Sequence, residues 1–319
     1  MSAENPAIQK EHEALVDLLR RYHNQGLLEM PHASDEDLLA NILGAAGLVL
    51  VGKYGHSLRE TRFNQKPAID TINIYCFKAD PEGALTEFLD NCTYVGFRNI
   101  IICDWHFIDR FQDGPALREA IEKAKASDQD RAMAFAKDND ISHEFIWGTA
   151  AARHRNLWLW VLLHELGHLA HRHQALHFRF GSQPASARLR FDVAARNAPA
   201  GKISFSDEED QADQFMFDVL RSFGTEGPAS GAWAVGGQFQ SGLNAYIYRE
   251  ARRFLLEQGQ PPDLWGSTPI KVFTRRGASH APTLLRALRL NLLLITEFGI
   301  EKPDFMQNLL ARVVIEVVD

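Results

Sequence analysis

His164-Glu165-Leu166-Gly167-His168 sets two imidazoles four residues apart, with a carboxylate beside the first. On an α-helix, residues four apart share one face. Both rings can then reach one Zn²⁺ at about 2.0–2.1 Å. Glu165, one step round the helix, is placed to take a proton from a zinc-bound water. The run that leads in, Leu157-Trp158-Leu159-Trp160-Val161-Leu162-Leu163, is apolar. A buried helix rarely carries charged groups without partners, so His-Glu directly after such a run argues for ligands. The bland alternative is a His-rich helix end whose cations complement the macrodipole. With thirteen histidines in the chain, an accidental match is expected on the order of a few per cent of the time. A second His-Glu, at His143-Glu144, has Trp147 where the second imidazole should stand, and no role is assigned to it.

A catalytic zinc usually takes three protein ligands and keeps a position for water. His171 shares the helical face, but seven residues separate it from His164, roughly 10.5 Å along a straight helix. That excludes all three on one ion. The longer pattern HExxHxxGxxH needs Gly at 171 and His at 174, where the chain has His171 and Gln174. The remaining source is Ser206-Asp207-Glu208-Glu209-Asp210-Gln211-Ala212-Asp213, which reads as a helix start with a capping residue and an acidic first turn. Glu209 and Asp213 lie four apart on one face. Glu209 suits the third ligand, with Glu208 as its rival. Asp213 suits the acceptor that fixes the tautomer of a ligating His. Ala212 is small enough for close packing against the active-site helix. An ordinary solvated acidic turn is the alternative.

HExxH followed by Glu-x-x-Ala-Asp resembles the gluzincin pattern of the ImmA/IrrE-type and M48-type peptidases. The resemblance implies Glu209 as the third zinc ligand and Asp213 at the Asp/Asn position. Ser279-His280-Ala281-Pro282-Thr283-Leu284-Leu285-Arg286 looks like the HPxxxxR element of M48 peptidases, with Ala281 intervening between His and Pro. Size, layout and this element also resemble the Lit-type phage-exclusion peptidases. The matching motifs cover a small part of the chain. They imply an α+β, zincin-like fold, with a small mixed sheet over the active-site helix and a largely helical C-terminal part. The expected mechanism has zinc on His164, His168 and Glu209, with Glu165 as general base. Transition-state charge needs a further donor. His280 is preferred because the resemblance puts a functional element there, with Tyr246, Tyr248 and Arg286 as alternatives. His280 also reads simply as a residue of the N-cap region before Pro282.

The elements that must position these residues follow from periodicity. Residues 7–30 read as an amphipathic helix with Ile8, Leu15, Leu18 and Leu19 inward, and Ser34-Asp35-Glu36-Asp37 caps a helix to about residue 46. Residues 68–77 and 99–104 read as strands. Either could be the edge strand that pairs with substrate; two core strands is the plainer reading. Residues 115–138 suit an exposed helix. Trp147–Arg172 is the active-site helix, 173–205 a loop or lid, and 207–223 a helix stopped by Gly224. Gly224–Gly242 reads as a flexible boundary, 243–258 and 283–298 as helices, and 308–318 as a closing β-branched run. His171, His173 and His177 read as surface residues, or as partners of the ligands at most. Trp105 and His106 are weak candidates for lining a cleft. The expected organisation is an N-terminal helical segment (1–33), a zincin-like core (34–225) and a mainly helical extension (226–319).

At 319 residues the chain can bury a sizeable core, and 45% apolar with 24% charged residues is ordinary for a globular protein. A net charge of −7 suggests no nucleic-acid partner. Cys76, Cys92 and Cys103 are odd in number and lack CxxC spacing, so no disulfide framework or zinc knuckle is expected, which fits a reducing cytosol. The N-terminus has no basic start or apolar core, and the longest apolar stretches fall short of the roughly 20 residues of a membrane helix. The expectation is a cytoplasmic zinc-dependent endopeptidase with a protein substrate and no membrane, acting in phage defence or regulated proteolysis. Its rivals are a zincin-fold regulator that works by binding a partner and a hydrolase of non-peptide bonds. Oligomeric state stays open.

Overall fold

The computed structural model describes residues 6–29, 36–64, 66, 68, 70–83, 85, 92–95, 97–104, 150–173, 177–180, 189–192, 205–224, 231–261, 264, 266–275, 283–300 and 304–318. Helices and small sheets are mixed, as an α+β chain requires. The chain divides into two compact units: residues 1–110 with 161–219, and residues 111–160 with 220–319.

The first unit is built on a mixed sheet of β1 (Leu28–Glu29), β2 (Phe63–Asn64), β3 (Ile72–Phe77), β4 (Cys92–Tyr94) and β5 (Ile100–Asp104). Its order is β1-β3-β5-β4, with β2 also pairing β3. β3 and β5 run parallel, while β4 lies antiparallel on the outer side of β5. Every residue of β3 and β5 is buried, as parallel strands covered on both faces are. Side chains alternate across the sheet. Tyr75, Phe77, Ile100 and Ile102 meet Leu15, Val16, Leu18, Leu19 and Tyr22 of α1 (Pro6–Asn24) in one apolar cluster. Tyr22 donates to the Asp80 carboxylate and Arg21 pairs with Glu82 at 3.0 Å, tying α1 to the loop after β3. The one polar residue in β3, Asn73, is fully buried and donates to the carbonyls of Ala68, Thr71 and Arg98. It thereby secures the turn where Arg98 and Asn99 adopt φ of 51° and 50° before β5.

The register places three cysteines in one row across the sheet: Cys76 opposite Cys103, and Cys103 opposite Cys92. Cys92 and Cys103 form a disulfide with Cα atoms 4.0 Å apart, and Cys76 is a buried thiol. This corrects the expectation that the cysteines form no disulfide. Cross-strand opposition, which spacing along the chain does not reveal, makes the pair.

Three helices complete what is described of the site's scaffold: α2 (Glu36–Gly52), α3 (Ala150–Ala170) and α4 (Phe205–Ser222). α4 buries Ala212, Phe215, Met216, Val219 and Leu220 as one stripe. Just past the end of α2, Lys53 reaches buried Asp218 of α4 at 2.6 Å, and the Tyr54 hydroxyl donates to the same carboxylate. The His56 ring lies 3.2 Å from the Ala170 carbonyl at the end of α3. The segment read as a loop or lid contains an antiparallel pair, β6 (His177–Phe180) with β7 (Leu189–Asp192).

The second unit contains α5 (Gly231–Glu257), β8 (Ile270–Arg275), α6 (Thr283–Phe298), α7 (Asp304–Arg312) and β9 (Val313–Val318). α5 and α6 share a buried polar ladder in which Gln240 donates to Asn291 and Asn291 to Asn244. β8 and β9 pair in parallel, so the closing β-branched run is a strand only from Val313. Gly231, Gly236, Gly237 and Gly242 lie inside α5 rather than in a flexible boundary. At Gly236 the reason is packing: a Cβ there would come within 2.7 Å of the Ile300 side chain. Among the described residues, no helix is long and apolar enough to cross a membrane. The 115–138 expectation falls outside the described residues.

Candidate metal centre

His164 and His168 project from the last two turns of α3, and Glu209 from the N-terminal part of α4. Their side-chain ligand atoms all lie within 4.8 Å of one another. Glu209 Oε2 is 3.2 Å from His164 Nε2, and Oε1 is 3.5 Å from His168 Nε2. The partial positive charge at the start of α4 favours a carboxylate at this place. Glu208, the rival ligand, is not in the group.

The hydrogen bonds around the group fix where the protons are. Asp213 Oδ1 lies 3.0 Å from His164 Nδ1. A carboxylate only accepts, so Nδ1 carries the proton and Nε2 keeps its lone pair. On the other ring, His168 Nδ1 is 2.8 Å from His173 Nδ1, and His173 Nε2 is 3.0 Å from Gln211 Oε1. An amide oxygen also only accepts, so His173 donates there. A neutral ring that donates through Nε2 to Gln211 has its lone pair on Nδ1, where it faces His168 Nδ1 and accepts. His168 therefore carries its proton on Nδ1 as well. The two Nε2 atoms then face each other across 2.9 Å, each with a lone pair, beside the Glu209 carboxylate. With both rings neutral, acceptors converge here with no proton between them, an arrangement that a shared cation relieves. Two imidazoles and a carboxylate are a donor set that suits zinc and leaves a position open.

Glu165 lies alongside. The Tyr94 N–H of β4 donates to its Oε2 at 2.6 Å, and its Oε1 is 4.0 Å from His164 Nε2. Burial pushes the Tyr94 phenol up to about 12, so it stays protonated. The α3–α4 approach depends on glycine. A Cβ on Gly167 would lie 2.2 Å from the carbonyl oxygen of Ala212 and 2.6 Å from its Cα. Backbone meets backbone there, which brings Glu209 within reach of both rings.

The three expected ligands and Asp213 come together. Tyr94, Gln211 and Gly167 escaped the sequence reading as parts of the site. Tyr94 acts through its backbone, which leaves no mark in a sequence. His173 offers a signal, the His-x-His of His171 and His173 just past the helix end, and its sequence reading is a surface residue or a partner of the ligands at most. His171 is not in the ligand group; it stacks on His173 with ring centroids 5.3 Å apart. Among the described residues β3 and β5 are both interior strands, so neither is a sheet edge, and β4 lies at one edge. His280, Trp105 and His106 lie outside the described residues, as does the Tyr248 side chain. Tyr246 is buried on α5, and the Arg286 guanidinium stands 5.7 Å from the Trp160 ring centroid, all within the second unit.

Comparison with protein families finds no match. No curated protein and no solved structure matches either.

Proposed function

We propose that the chain is a zinc-dependent endopeptidase of gluzincin type, with a zincin-like catalytic unit, acting on a protein substrate. The observation that carries this reading is the convergence of His164, His168 and Glu209, with both Nε2 atoms turned inward and Glu165 beside them. Zinc held by these three residues would supply a Lewis acid for the scissile carbonyl and an acidified water. Glu165 would be the base that takes a proton from the attacking water and returns it to the departing amine. The Tyr94 amide holds Oε2, which gives this work to Oε1. β4 pairs with β5 on one side only among the described residues, so an extended peptide has an edge to join next to Glu165.

Terminal-amine proteomics on cells expressing the wild type or Glu165→Gln tests the proposal. New protein N-termini are expected only with the wild type, with one zinc equivalent bound by both proteins. Zinc in both proteins with identical N-termini would remove the peptidase assignment. Absence of zinc from both would remove the metal centre itself.

A further inference from the structure

α4 serves both ligand imidazoles, but by different routes. Asp213 takes the His164 proton directly, at 3.0 Å. Gln211, two residues earlier, does not touch His168 in the same way; His173 stands between them, at 2.8 Å from His168 and 3.0 Å from Gln211. The backbone explains how His173 gets there. α3 ends at Ala170, and Arg172 adopts φ 53°. The Arg172 N–H bonds to the Leu169 carbonyl and the His173 N–H to the His168 carbonyl, both at 3.0 Å. This pair of bonds is the Schellman closure of a helix. It turns the chain back on itself, so backbone and ring of His173 both close on His168. The left-handed residue is Arg rather than Gly, so the sequence does not announce the turn.

We propose that His173, oriented by Gln211, is the positioning residue of the second metal ligand: its Nδ1 accepts the Nδ1–H of His168 and so directs the His168 Nε2 lone pair at the ion. The inference deepens the metal-centre reading above and rests on it. A neutral imidazole is a weaker acceptor than the Asp213 carboxylate, so the two ligand rings are unequally supported. Removing the support frees His168 to rotate and to take the other tautomer, which puts a proton where the ion must bind. Partners of this kind typically alter metal affinity about 10–100-fold.

The test uses the full chain as wild type, His173→Ala, His173→Asn and Gln211→Leu. Zinc affinity is read by competition with a chromophoric chelator, and ring tautomers in the metal-free protein by imidazole ¹⁵N shifts. His173→Ala is expected to weaken zinc about tenfold or more and to leave His168 as a tautomer mixture. His173→Asn, which keeps an acceptor oxygen, recovers most of the affinity, and that recovery separates positioning from simple loss of fold. Gln211→Leu falls between. Unchanged zinc affinity together with an unchanged His168 tautomer in His173→Ala would overturn the proposal. If the wild type takes up no zinc, the metal-centre reading fails, and the nitrogen shifts still decide by themselves whether His173 sets the His168 tautomer.

Discussion

Three side chains meet at the candidate centre, but the decisive chemistry lies in which nitrogen of each ring holds a proton. Asp213 settles this for His164 and is itself buried. Asp213→Ala removes a charged acceptor, so it is expected to cost zinc affinity near the upper end of the 10–100-fold range, more than His173→Ala. Chelator competition on the two variants side by side checks the order; equal losses would mean that acceptor charge does not matter here. At this scale the sequence was informative for a physical reason. Ligands four apart on a helix are constrained by geometry that spacing records, and so is Glu209 four before Asp213. Tyr94 was invisible, because every residue but proline carries the same N–H. His173 was underrated, because the turn at Arg172 that brings it back lacks the glycine that usually marks it.

Between elements, the controlling contact is α3 against α4. Helix propensity says that Gly167→Ala stabilises by about 1 kcal/mol. The steric clash says the opposite, since the new Cβ would lie 2.2 Å from a backbone oxygen that cannot rotate away. Overpacking of this kind costs roughly 1–3 kcal/mol and is relieved only by moving a helix. Gly167→Ala is therefore expected to lower Tm and to lose bound zinc. The exposed Gly44 of α2 is the control, with nothing within 4 Å of its missing Cβ. Gly44→Ala should stabilise by about 0.5–1 kcal/mol, read by thermal denaturation. If both substitutions act alike, the clash is not what makes Gly167 special. Long helices were legible in the sequence, and α6 (Thr283–Phe298) matches its expected bounds because Pro282 and a clear apolar stripe mark it. The glycine-rich stretch before Leu243 was not, because glycine that packs a helix tightly looks the same as glycine that loosens a chain. Strands of two or three residues, such as β1, β2 and β4, are too short to show a period.

For the whole chain, ligands about forty-five positions apart are joined only through folding, so the ion acts as a cross-link that the unfolded chain lacks. Zinc at a hundredfold excess over its Kd adds about 2.7 kcal/mol. A chelator should then lower Tm by on the order of 5 °C. The shift should shrink in Glu209→Gln, and differential scanning calorimetry with and without chelator measures both. An unchanged Tm in the wild type would mean that the three residues hold no ion in solution. Mixed helix and strand was readable at this scale from alternating periodicities. The division into two units was not, because each is assembled from separated stretches of chain, and a pattern read along the chain does not carry that.

Gly167 also shapes what mutation can explore. Every other amino acid carries a Cβ, so a saturation scan at this position should find no tolerated replacement. The obstruction is the Ala212 carbonyl, Cα and carbonyl carbon, atoms that any residue at 212 would present. No exchange at the contacting position can therefore compensate, not even Ala212→Gly. The site has no suppressor at its own point of contact, and a lineage that loses this glycine recovers the centre by reverting or by changes elsewhere that move the two helices apart.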